Sequence, residues 1–144
     1  MNEPLPVTIT MPSPQLLRYT HWIYALHALS VVTGIVTAAS IVGMFVFGWP
    51  SIIAVIMNYV RRSEVEGTWL ESHFRWQIRT FWFALLWAAV TTIISAPLVL
   101  LLGLGVVTWI IGFLIVGIWV VYRVVRGWLA LREGVPVPRP GVTR

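Results

Sequence analysis

The chain of 144 residues contains no cysteine, no lysine and no aspartate. Without cysteine there can be no disulfide, thiolate metal site, iron–sulfur cluster or thiol nucleophile. Charge is scarce as well. Charged residues make up 10% of the sequence, against about 25% in an average soluble domain. All ten basic residues are arginine and all five acidic residues are glutamate. That usage reads as the codon bias of a GC-rich genome or as a preference for the bidentate guanidinium fork. The sequence also carries no phosphate-binding glycine motif, no nucleophile elbow and no pair of acids within an apolar segment. Glu64, Glu66 and Glu71 sit in or beside one polar loop, where carboxylates are ordinarily solvated, and no histidine pair has a carboxylate convincingly beside it in an apolar stretch. These absences predict no catalytic residue, no metal site and no cofactor.

What the chain has in abundance is apolar surface. Hydrophobic residues reach 58% and the mean hydropathy is +0.85. A compact soluble fold of this size cannot hide that much apolar area. Thr80 to Tyr122 is a 43-residue run without a charge, and Tyr19 to Val60 is another of 42. A helix crosses a bilayer core with about 20 apolar residues. The expected fold class is therefore all-α, an integral membrane bundle of four transmembrane helices.

The punctuation divides the chain as follows. Residues 1–18 hold four of the nine prolines, lack the pattern of a signal peptide and read as a disordered arm. A single four-helix domain spans 19–133, with helices at about 19–47, 50–60, 68–98 and 106–132. Gly48-Trp49-Pro50 marks the first turn, with Pro50 at a helix start, where its missing N–H is harmless. The second helix is about 16 Å long at 1.5 Å per residue, too short to cross an ordinary bilayer unaided. Arg61 to Gly67 forms a polar loop. The third helix begins at the interface and enters the membrane after Arg79. Pro97 and Gly103-Leu104-Gly105 turn the long apolar block into a hairpin. Arg123 to Arg132 reads as an interfacial extension of the fourth helix, with Val125, Trp128 and Leu129 on its apolar side. Residues 134–144 form a disordered, proline-rich tail.

One arginine precedes the first crossing, four lie between the second and third, and five follow the fourth. The positive-inside rule then places both termini and the central loop in the cytoplasm, as expected of a multi-pass protein of a bacterial inner membrane. The net charge of +5 reads as this orientation and not as a nucleic-acid footprint.

On the third helix Trp69, His73, Gln77, Thr80, Ala84, Ala88, Thr91 and Ser95 share one sector at 100° per residue. Such a small and polar ridge suits helix packing, a hydrated path or contact with another protein. Glu71, Arg75 and Arg79 follow at four-residue spacing on the other side, as an ion-paired edge facing solvent or lipid headgroups, or as a docking site that includes His73. Trp69, Trp76 and Trp82 frame the segment as an aromatic belt. On the first helix His27, Ser30, Gly34, Thr37, Ala38 and Ile41 share a face, with Gly34 and Ala38 as a small-xxx-small pair. On the fourth, Gly105, Thr108, Gly112 and Trp119 do the same. His27 and His73 form the one conceivable pair of haem ligands.

The stretch Tyr24 to Trp87 combines YALHALS, PSIIAVIMNYVRR and GTWLESHFRWQIRTFW. In its short helix after Pro50, its basic pair Arg61-Arg62, its Glu71-Ser72-His73 and its Gln77, it resembles an uncharacterised bacterial family of small four-helix membrane proteins. That family is similar to the small membrane subunit of the chloroplast inner-envelope (Tic) protein translocon. The sequence departs from the pattern in having no lysine after the short helix and an unusually Trp-rich entry to the third. The resemblance implies four helices, no known enzyme activity, and a link to protein transport or membrane-protein assembly. The expected function is a non-enzymatic accessory, scaffold or assembly factor acting through helix–helix contacts. Its partners would be the lipid bilayer and a membrane protein or further copies of itself. The alternatives are a small translocation or permeation component and a haem-binding electron-transfer subunit.

Overall fold

A computed structural model describes residues 10–36, 48–100 and 103–137. Among them the architecture is all-helical. The helices are α1 (Pro14–Val36), α2 (Trp49–Val60), α3 (Leu70–Leu100) and α4 (Leu104–Arg132), with a 3₁₀ turn at Ser63–Val65. One isolated bridge pairs Thr10 with Thr68. Thr37, Ala38 and Ile41, with the rest of the expected first helix up to 47, lie outside the described residues.

α1 begins at Pro14, five residues before the expected start, so 14–18 belong to the helix and not to the arm. The cause is local. The Ser13 hydroxyl accepts a hydrogen bond from the backbone N–H of Leu16 at 3.2 Å, while Pro14 takes the first helical position. α2 occupies the expected span, with Pro50 in its first turn. α3 runs straight through Pro97. The reversal comes at Gly103, whose φ of +72° supplies the left-handed conformation that precedes α4.

The proline-rich tail starts with order as well. Gly134 has φ +69°. Its N–H bonds the Leu131 carbonyl and the Val135 N–H bonds the Ala130 carbonyl, each at 3.1 Å. This left-handed cap satisfies the free carbonyls at the end of α4 and turns the chain back toward α3. Val137 ends only 6% exposed, so residues 134–137 are docked and not disordered.

The packing is uneven along the molecule. Leu16, Ile23 and Tyr24 of α1, Ala54 of α2, Val65 of the 3₁₀ turn, Leu70 and Phe74 at the start of α3, and Val124 and Leu131 of α4 form one core at one end. We call this end the head. Beyond it α3 and α4 continue as an antiparallel hairpin. In the most apolar 18-residue window of each, only 6% of residues are buried. Ile93, Ile94, Leu114, Ile115 and Ile118 all face outward. By length and composition α3 and α4 can each cross a membrane.

Candidate functional site

The hairpin sets the geometry on which the site depends. Ser95 accepts a hydrogen bond from the Thr108 hydroxyl at 3.1 Å. A Cβ on Gly112 would strike the Thr91 side chain, and one on Gly105 would strike the backbone of Ser95 and Val99. At the head end of the hairpin the Arg123 Nε donates to the Thr80 hydroxyl at 2.7 Å. Thr80–Arg123, Thr91–Gly112 and Ser95–Thr108 are symmetric about the same point in the α3–α4 connection, as antiparallel neighbours must be. The polar ridge of the third helix is thus a packing seam. It lies against the small face of α4 that Gly105, Thr108 and Gly112 were expected to form.

Nearer the head the same ridge meets α1. His73, Gln77 and Thr80 are buried there. The His73 Nε2 lies 2.8 Å from the Val135 carbonyl, and a carbonyl can only accept. Nε2 therefore carries the proton, and Nδ1 accepts from the Tyr24 hydroxyl at 3.0 Å. One tautomer of neutral histidine so joins α1, α3 and the tail. The Tyr24 ring lies parallel to Trp128 at 6.4 Å between centroids, and the Trp128 indole N–H donates to His21 Nδ1 at 3.0 Å. Beside His73, the Ser72 hydroxyl accepts from the Val137 N–H at 3.0 Å and donates to the Trp69 carbonyl at 2.8 Å.

Arg123 is half-buried without a carboxylate partner among the described residues. It lies 3.5 Å over the Trp76 ring and 5.0 Å from that of Trp119, and the Trp76 indole N–H donates to the Arg123 carbonyl at 3.0 Å. Two aromatic faces and a hydroxyl stand in for a counterion here. This differs from the expectation of a simple interfacial arginine. The buried face of the end of α4 is Val124, Gly127, Ala130 and Leu131, while Val125 and Leu129 are exposed. Those two line an open apolar groove of about 590 Å³ with Arg126 and Glu133.

Of the remaining expected residues, the Glu71–Arg79 edge and Gly34 lie apart from this cluster, whereas His27 borders it. Glu71 and Arg75 pair at 2.6 Å on the exposed side of α3, and Arg79 is exposed one turn further on. His27 is buried, and its Nδ1 lies 3.2 Å from the Ser51 hydroxyl of α2. Gly34 meets nothing within 4 Å, so no close helix contact occurs there among the described residues. His73 has both ring nitrogens engaged, which leaves it no free lone pair for iron. The structure therefore does not present His27 and His73 as a haem pair. Among the described residues no group of three or more histidines and acids is arranged to hold a metal.

Tyr24, Trp76, Arg123, Gly127, Trp128 and Val135 complete the site. In the sequence Trp76 stands out only as part of an aromatic belt, Arg123 and Trp128 only as part of an interfacial extension, and Tyr24, Gly127 and Val135 have no assigned role. Two signals for them exist there. Tyr24 stands one helical turn before His27, and Arg123 is the first charge after the long apolar run, opposite Thr80 once the run folds into a hairpin. No protein-family model, no curated protein and no solved structure matches this chain.

Proposed function

We propose that the chain is an integral membrane protein whose α3–α4 hairpin lies in the bilayer, with the head at the cytoplasmic surface. The observation that supports this reading is the exposure of two long apolar helices outside the packed head. A hairpin that buries so little of itself has lipid or another protein as its natural surroundings. All eight arginines among the described residues belong to the head or its rim, on one side of the charge-free hairpin, and the positive-inside rule orients that side to the cytoplasm. A multi-pass topology with α1 and α2 also embedded, and a place in a bacterial inner membrane, belong to the same proposal. So does the resemblance to the four-helix family related to the Tic subunit.

Within that frame we read the protein as a non-enzymatic accessory or scaffold. The polar side chains of the α3 ridge hold α1, α3, α4 and the tail together and do not line an open channel, which favours structure over permeation. The Glu71–Arg75–Arg79 edge lies on the exposed side of α3, uncovered by any other described element, and is the surface we assign to a partner or a second copy. Native mass spectrometry on gently extracted protein tests this reading. A stoichiometric complex that is lost on R75E and R79E supports it. A monomer carrying only lipid, unchanged by those substitutions, overturns it.

A further inference from the structure

Between α1, α3 and α4, above the His73 cluster, lies a cavity of about 10 Å³ lined by Tyr24, His27, Trp76, Gln77, Thr80, Arg123 and Val124. That is the room needed by a single water molecule. Two of its lining side chains are almost wholly buried, Gln77 at 2% and His27 at 5% exposure. Both amide atoms of Gln77 and the Nε2 of His27 have no hydrogen-bond partner within the protein. Gln77 also stands beside the Tyr24 hydroxyl and interacts with it as a hydrogen-bonding group, but too loosely to satisfy either amide atom. A buried amide left unpaired is costly, and three unpaired atoms around one small space would be a heavy load for a domain of this size.

We propose that this cavity is a water-binding site, with one water bridging His27 and Gln77. The inventory of lone pairs and protons favours water over an ion. Gln77 offers an acceptor and two donors, and the Tyr24 oxygen, its own proton given to His73, retains lone pairs. Arg123 already has two aromatic faces and Thr80 to balance its charge. A ligand that both donates and accepts fits this mixed set, whereas a bare anion or cation leaves half of it unpaired. The bridge joins Ser51 and His27 through the water to Gln77, which stands beside the Tyr24–His73–Val135 chain. It runs from α2 toward the docked tail across the middle of the head.

The chain has two glutamines, Gln15 and Gln77, and Gln15 is exposed. Protein labelled with ¹⁵N-glutamine and held in nanodiscs therefore gives two side-chain amide pairs, and Q15A assigns them. The expected result is a direct nuclear Overhauser cross-peak from the Gln77 amide protons to a long-lived water, with exchange far slower than at Gln15. No such cross-peak on a slowly exchanging Gln77 amide overturns the proposal. Thermal denaturation of Q77M reads the same question independently. A hydrated site predicts a fall in Tm of about 4 °C or more. A dry cavity predicts an unchanged or higher Tm, since the substitution then removes only unpaired polar atoms, and that result also overturns the proposal.

Discussion

At Gly127 the backbone of α4 lies directly against the Tyr24 ring. A Cβ placed there would come within 2.9 Å of the ring's Cε1 and Cζ, and closer still to the hydroxyl. The ring has little room to step aside, because Trp128 stacks parallel to it and His73 holds its hydroxyl. G127A is therefore expected to destabilise the head by about 1–3 kcal/mol and to loosen the tail through His73. Faster hydrogen exchange at Val135 and Val137 in G127A, with exchange in the hairpin unchanged, checks it. The tail contact has its own single-residue test. S72A removes the acceptor for the Val137 N–H and should speed exchange at that amide while leaving the Leu131 to Gly134 cap intact.

At the scale of the element, the hairpin rests on glycines that are not equivalent. Gly105 and Gly112 sit where a methyl group meets the opposite helix, whereas Gly117 faces open space. G105A should be the most disruptive, because the atoms it meets are backbone, and G112A less so, because a Thr91 side chain can turn. G117A should be neutral or slightly stabilising, as alanine is the better helix former by up to about 1 kcal/mol. Crosslinking yield between cysteines introduced at Ser95 and Thr108 ranks the three. The hairpin itself was legible in the sequence, since a charge-free run of 43 residues with paired glycines near its middle leaves little else for the chain to do. Its facing residues were legible too, once the run is folded about its centre. The end signals were less visible. Ser13-Pro14 is an ordinary helix start, and Gly134 after a basic last turn an ordinary stop, but both sit in segments whose proline content suggests disorder. Pro97 misled in the other direction, because a proline in the last turn of a helix removes one bond without ending it.

For the whole molecule, composition carried the all-helical class and the two long apolar helices, and left the site obscure. The polar ridge of α3 was visible as a stripe, yet its division into a seam with α4 and a buried junction with α1 depends on which helices pack where. Arg123 shows the reason most clearly. Its sequence neighbours mark it as interfacial, and only the approach of Trp76 from another helix explains how a guanidinium without a carboxylate is held. In the proposed orientation the exposed apolar surface of the α3–α4 hairpin faces lipid. Because the chain has no cysteine of its own, single cysteines at Ile94, Leu114 and Arg75 can each carry a nitroxide label in reconstituted vesicles. The most direct measurement is their relative relaxation by oxygen and by a water-soluble nickel complex. Oxygen-dominated relaxation is expected at Ile94 and Leu114, and nickel-dominated relaxation at Arg75. Nickel access at all three positions would contradict it.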